Sequence, residues 1–133
     1  MFSHIMLGCR DLTCLIGFYD AALAPLGLIR KASEDDGGPA GAGWTRPGQR
    51  WPLFYVQYPL NGLPSTWGNG VQVSFAAPSR SAVDLAWQAA LDHGGSDEGA
   101  PGLRPQYEPD YYGAYCRDPE GNKLCFVHTT GLP

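Results

Sequence analysis

The sequence lacks a long apolar run and a cluster of basic residues. None of its apolar runs approaches the roughly 18 residues that a membrane-spanning helix needs, and no basic segment followed by an apolar one marks a signal peptide. The nine Lys and Arg residues are scattered, and the net charge is −4, which argues against a nucleic-acid partner. We therefore expect a cytoplasmic protein that binds neither membranes nor nucleic acids.

Several motifs are also missing. The four cysteines form no CxxC pair, which favours reduced thiols over a disulfide framework. Glycine-rich nucleotide loops, P-loops and a GxSxG nucleophile elbow do not occur. The chain of 133 residues instead contains 18 Gly and 12 Pro with 44% hydrophobic residues, which indicates one domain of short elements around a buried core.

Two segments of the chain repeat one pattern. Residues 4–9 and 71–76 are predicted strands, and each leads into an amphipathic helix whose predicted N-cap is Asp11 or Ser79. Ser79 follows Asp11 by 68 positions, and the strands keep the same register. A period this long exceeds a solenoid repeat and indicates an internal duplication. Since each half is too small for a good core alone, we expect the two halves to pair their sheets around a cleft.

Strands and loops are predicted after each helix. The acidic runs 34–38 and 96–102 are interpreted as solvated loops, and the Gly- and Pro-rich segment 59–70 as the linker between the halves. The fold class is α+β in a single domain, 1–133, with module one at about 1–60 and module two at about 70–130. The predicted strands after the helices are 28–33, 41–46 and 51–59 in the first half, and a short piece near 103–109, then 111–118 and 123–129 in the second.

Several stretches together resemble a known family. They are a His on the first strand, "FYDAALAPLGL", "VSFAAPSRSAVD" and "PGLRPQYEPDYYGAYCRDPEGNKL". In this combination the chain resembles the vicinal oxygen chelate superfamily, which includes glyoxalase I, bleomycin-resistance proteins and extradiol dioxygenases. The resemblance covers nearly the whole chain and is nearest to small glyoxalase-like proteins. It implies two paired βαβββ modules that form a cleft, and a homodimer.

The resemblance also implies a divalent metal, held by residues on the first and last strands of each half. The matching positions are His4, Gln72 and Cys125. Matching "PLFYV" to "KLCFV" gives Phe54 as the fourth position, whereas the fixed offset gives Gln57, which alternation places on the other sheet face. This set has no carboxylate, so Zn is the most compatible metal. We expect the metal site to be degraded.

Each of these three residues has a structural alternative. His4 is also explained as a hydrogen-bonded or solvated residue at a strand start. Gln72 is also explained as a core amide whose hydrogen bonds are satisfied. Cys125 is also explained as a small buried hydrophobe.

Aromatic residues are in surplus around the predicted cleft. Tyr111 and Tyr115 are expected on one face of their strand and Tyr112 on the other; by analogy with the family we assign Tyr112 to the cleft. Such a lining favours a protein that binds a small organic ligand. The alternatives are a metal-dependent enzyme of the glyoxalase or dioxygenase kind, acting on a substrate with vicinal oxygens, and a scaffold with a vestigial site. The predicted ligand-binding residues are Phe54, Tyr107, Tyr112 and Tyr115.

Overall fold

The structure, a computed structural model, describes residues 1–32 and 35–133. Within these residues it contains two α-helices and eight β-strands. In chain order they are β1 (His4–Gly8), α1 (Leu12–Leu23), a 3₁₀ turn (Ala24–Leu26), β2 (Ile29–Arg30), β3 (Gly41–Thr45), β4 (Leu53–Gln57), β5 (Gln72–Ala76), α2 (Arg80–Asp92), β6 (Ser96–Leu103), β7 (Tyr112–Arg117) and β8 (Lys123–His128).

The strands form two sheets of the same topology. The first has the order β1-β4-β3-β2 and the second has the order β5-β8-β7-β6. In each sheet the first strand runs parallel to the last strand of its half, and the other neighbours are antiparallel. The predicted α+β fold of two βαβββ modules is thereby confirmed. The strands β1 and β5 are edge strands of their sheets.

The two helices begin where the sequence predicts. The Asp11 carboxylate accepts a hydrogen bond from the Cys14 amide at 3.1 Å, and the Ser79 hydroxyl accepts one from the Ala82 amide at 3.0 Å. These caps satisfy amide groups that have no partner within the helix. Neither helix of the described chain is long and apolar enough to span a bilayer.

A single core joins the two modules. We call the face of each sheet that packs on this core its inner face, and the opposite face its outer face. Phe54 of β4 and Phe75 of β5 meet in the core, with ring centroids 5.1 Å apart and an edge-on geometry that aromatic pairs favour. The outer faces of the two sheets are therefore turned away from each other in one chain.

One predicted loop is a strand. Residues 96–102, interpreted as an acidic loop, belong to β6, which pairs with β7 through two register shifts. An edge strand tolerates the Pro and Gly residues of this segment. The predicted strand 28–33 is shortened to Ile29–Arg30, and the predicted loop 34–38 has no helix or strand at 35–38. Ser33 and Glu34, which belong to those two predictions, lie outside the described residues.

Candidate functional site

A large cavity lies against the outer face of the first sheet. Its volume is about 750 Å³. The strands β1, β3 and β4 form its floor, and the segment after β2 and the turn before β4 form its walls. Its lining residues are His4, Met6, Leu12, Ile16, Arg30, Lys31, Ala32, Asp35, Asp36, Gly38, Pro39, Ala40, Gly41, Ala42, Gly43, Arg50, Trp51, Leu53, Tyr55 and Gln57.

Tyr55 lies flat on the floor of this cavity because β3 has glycines beneath its ring. A Cβ atom at Gly41 would lie 2.7 Å from Tyr55 Cε1, and one at Gly43 would lie 2.9 Å from Tyr55 Cδ2. Any side chain at either position would displace the ring. Burial, and then the nearby Asp36 carboxylate, raise the pKa of Tyr55. Its hydroxyl therefore stays protonated at neutral pH and can donate or accept a hydrogen bond.

His4 and Trp51 stand together at this cavity. Their ring centroids are 5.6 Å apart at an angle of 45°. The His4 Nδ1 atom lies 2.8 Å from the Ser3 hydroxyl, and the Arg50 guanidinium lies 5.6 Å from the centroid of the Trp51 ring. The cavity thus combines an exposed indole, an imidazole and a cation near an apolar floor.

A second cluster lies on the outer face of the second sheet. The Tyr111 and Tyr115 hydroxyls are 3.2 Å apart, and the Tyr111 hydroxyl lies 3.5 Å from the Cys125 thiol. Tyr107 extends the cluster, since its ring centroid is 5.1 Å from that of Tyr111. Burial raises the pKa of the Cys125 thiol, so the thiol is protonated and is a poor nucleophile at neutral pH. The two hydroxyls and the thiol lie close together because Tyr111 and Tyr115 share one face, as the sequence predicted.

Two of the predicted ligand-binding residues, Phe54 and Tyr112, pack toward the core and not toward an outer face. Phe54 is 5% exposed and packs on Tyr19 and Phe75 in the core. Strand register pairs Met6 with Tyr55 and the corresponding Ser74 with Cys125, so Tyr55 is the counterpart of Cys125. Matching the strands by their apolar pattern misplaced this position by one residue, which exchanges the faces.

Tyr112 also requires correction. Its hydroxyl donates a hydrogen bond to Asp84 of α2 at 2.6 Å, and its ring packs against the core. It therefore lies on the inner side of the second sheet, on the face opposite Tyr115.

Comparison with known proteins identifies the family. The sequence profile of the Glyoxalase/Bleomycin resistance protein/Dioxygenase superfamily matches residues 1–126. The chain belongs to this superfamily. It is similar to a glyoxalase/bleomycin resistance protein from Albidiferax ferrireducens T118, with 37% identity and a TM-score of 0.85, over 97% of this chain and 99% of that one. No match was found among curated proteins.

Two more distant structures share the superfamily fold. A glyoxalase-related enzyme from Fulvimarina pelagi is 15% identical, with a TM-score of 0.75 over 100% of this chain and 91% of that one. A lactoylglutathione lyase from Agrobacterium tumefaciens is 19% identical, with a TM-score of 0.64 over 99% of this chain and 97% of that one. At these identities the likeness is one of fold.

Superfamily members often bind divalent metals, but the donor groups of this chain fit such a metal poorly. His4 lies on the first sheet, and Gln72 and Cys125 lie on the second. Gln72 uses its amide to bond Ser74 at 2.9 Å. Within the described residues, no three His, Cys, Asp or Glu side chains come together at a metal-binding distance. Metal binding by these three residues stays a prediction, and we derive no chemistry through it.

Sequence reasoning did not select Tyr55 or Trp51 for the site. A usable signal was present for Tyr55. In "GAGWT" and "LFYVQ" the glycines at 41 and 43 alternate with Ala42 and Trp44, as Tyr55 alternates with Phe54 and Val56. Alternation at period two separates one face with large apolar residues from one with glycines and polar groups. No comparable pattern marks Trp51, which stands in a turn.

Proposed function

We propose that this superfamily member binds a small organic molecule with a ring or aliphatic body, in the cavity on the outer face of its first sheet. One observation carries the proposal, namely the cavity of about 750 Å³ above Tyr55. Sites for small organic ligands typically occupy about 300–1,000 Å³ and combine apolar walls with a few polar groups. Here Met6, Leu53 and Ile16 supply apolar lining, and the Tyr55 hydroxyl and Gln57 amide orient the ligand.

A second copy of the chain completes the cavity in this proposal. The edge strand β1 exposes Ile5 and Met6, which are 36% and 49% accessible, and Val71 beside the edge strand β5 is 53% accessible. An open apolar edge favours pairing with another strand. Pairing β1 of one copy with β5 of another makes one continuous sheet. The outer face that carries Tyr107, Tyr115 and Cys125 then adjoins the cavity of the partner.

Ligand binding is tested by tryptophan fluorescence in metal-free buffer, with a panel of aromatic acids, amides and alcohols. We expect saturable quenching by at least one compound, lost in Trp51→Phe. Trp67→Phe is the matched control because Trp51 and Trp67 are both 47% exposed and Trp67 belongs to the other module's surface. Quenching that survives in Trp51→Phe and disappears in Trp67→Phe would place the ligand elsewhere and contradict the proposal.

The contribution of Tyr55 to ligand binding is tested by adding a methyl group beneath its ring. In Gly43→Ala the new Cβ lies 2.9 Å from the Tyr55 ring and from Leu53. We expect the ring to rise into the cavity and ligand affinity to fall by about tenfold. Gly17→Ala is the control, since nothing lies within 4 Å of its Cβ position. Equal affinity in the two variants would show that the ligand does not rest on Tyr55.

The dimer has its own test in light scattering. Wild type is expected at twice the chain mass of 14.3 kDa. Ile5→Lys and Val71→Lys should shift it to the monomer, because an inserted lysine blocks edge pairing. Leu85→Lys on α2, where the native side chain is 58% exposed, should leave the mass unchanged. A dimer that resists both edge substitutions would overturn this arrangement.

A further inference from the structure

Two positive charges flank one aromatic ring on the outer face of the second sheet. The Arg104 guanidinium carbon and the Lys123 ammonium nitrogen each lie 5.7 Å from the centroid of the Tyr115 ring. Tyr115 lies between the strands that place these residues, since β7 pairs with β6 on one side and with β8 on the other. Both cations are partly accessible to solvent. Each therefore lies beside Tyr115, although the chain as a whole is acidic.

Glycines in β6 hold Arg104 in this place. A Cβ atom at Gly99 would lie 3.4 Å from the guanidinium and 3.2 Å from the Tyr115 ring, and one at Gly102 would lie 3.0 Å from the guanidinium. The guanidinium also donates a hydrogen bond to the Ala100 carbonyl at 2.8 Å. The side chain is thus folded back over its own strand, so its position is fixed before any ligand arrives.

No carboxylate neutralises this pair of charges. Of the described residues, only Arg30 with Asp20 and Arg117 with Glu98 form ion pairs, at 3.1 Å and 2.6 Å. Arg117 is the other cation of this face, and Glu98 compensates it. Arg104 and Lys123 therefore leave a local excess of positive charge that the fold itself does not use.

Neutral hydrogen-bonding groups surround the two cations. The Tyr111 and Tyr115 hydroxyls lie within 3.2 Å of each other, and Ser74 of β5 stands opposite Cys125 in the strand register. Hydroxyl donors beside paired cations are the groups that bind carboxylate and phosphate oxygens in proteins.

We infer that Arg104, Lys123 and the Tyr115 hydroxyl form a binding site for the anionic group, a carboxylate or a phosphate, of a small-molecule ligand. The inference deepens the proposed function and rests on it in one respect: in the proposed dimer this face adjoins the cavity. The ligand class it names is an organic anion whose apolar body lies over Tyr55 of the partner.

The test uses the full-length protein and inorganic phosphate, followed by backbone amide shifts in two-dimensional NMR. We expect saturable shifts at residues 104–125 that weaken about fivefold in Arg104→Gln and in Lys123→Gln. Arg80→Gln is the matched control, because Arg80 lies 5.2 Å from the Tyr112 ring on the inner side of the same sheet. Its phosphate affinity should stay within about twofold of wild type.

A fourth variant tests whether the position of the Arg104 guanidinium matters as well as its charge. Gly102→Ala keeps both cations but crowds the guanidinium, and it should weaken phosphate binding without loss of folding, as checked by circular dichroism. Non-saturable shifts, shifts elsewhere in the chain, or an equal loss in Arg80→Gln would overturn the inference.

The same variants distinguish this inference from the proposed function. Benzoate and benzamide are compared in the fluorescence assay, and wild type should prefer benzoate by about fivefold, a preference absent in Arg104→Gln. Quenching by both compounds with equal affinity would refute the anion site and leave the cavity proposal standing. Phosphate binding at 104–125 without quenching by either compound would support the anion site and refute the cavity proposal.

Discussion

A buried hydrogen bond links the two modules in addition to their shared core, and Tyr19→Phe tests its contribution to stability. Tyr19 of α1 is fully buried and donates its hydroxyl proton to Asp118 of the second module at 2.6 Å. Asp118 is itself 3% exposed. It also accepts hydrogen bonds from the Asn122 side chain and from the Glu120 and Asn122 amides, at 2.8, 2.9 and 3.0 Å. Burial, and then the Asp118 charge, raise the pKa of Tyr19 well above its ordinary value.

The size of the effect follows from these contacts. Phenylalanine keeps the ring, so the packing on Trp44 and Phe54 is retained. Asp118 keeps three of its four donors. The loss is one hydrogen bond to a buried charge, which is worth about 1.5–3 kcal/mol. We expect the free energy of unfolding to fall by this amount.

Urea unfolding followed by circular dichroism measures the change, because the midpoint falls while the slope stays constant if only stability changes. Tyr107→Phe is the control, since Tyr107 is 61% exposed. We expect the control to stay within about 0.5 kcal/mol of wild type. A Tyr19→Phe variant that also stays within that range would refute the view that this bond contributes to the free energy of unfolding.

Three further predictions concern the surface. Hydrogen bonds from Thr130 and Thr129 hold the pKa of Asp110 below its ordinary value. The contribution of Asp110 to stability is therefore present above about pH 4 and is lost as the pH falls. Between pH 5 and pH 3, the free energy of unfolding in urea should fall less in Asp110→Asn than in wild type. Of the four thiols, Cys14 is exposed and the others are buried, so a thiol reagent should modify one site quickly, and Cys14→Ser should abolish that fast phase. Elemental analysis of untagged protein should find well under one metal per chain, and a full equivalent lost in His4→Ala would restore the enzyme alternative.

The sequence predicted the parts of the fold that repeat. Asp11 and Ser79 stand at equivalent positions, and each caps a helix. Caps of this kind can be predicted from the sequence because a cap depends only on residues of its own helix. Together with the offset of 68 positions they predicted two modules, each with a strand and a helix followed by further strands.

Side-chain orientation was harder to predict, because it depends on strand register. Cys125 and Tyr55 are equivalent in the structure but differ by 70 positions, two more than the offset of the first strands. Loops between the strands changed length between the halves. The fixed offset therefore leads to Gln57, which lies two residues past Tyr55 on the same face, and the match of apolar letters leads to Phe54 on the opposite face. A slip of one residue exchanges the two faces of a strand, which is how Phe54 was selected. Tyr112 was assigned to the cleft by analogy with the family, without any information on register.

The contacts between the modules also bear on the site. The Glu120 carboxylate of the second module accepts hydrogen bonds from the Arg10 and Asp11 amides, at 2.7 and 3.0 Å. These amides follow directly after β1, the strand that carries His4 and Met6 into the cavity. The second module therefore fixes the end of a strand that lines the cavity of the first. The position of His4 and Met6 in the cavity is thereby linked to the packing of the second module.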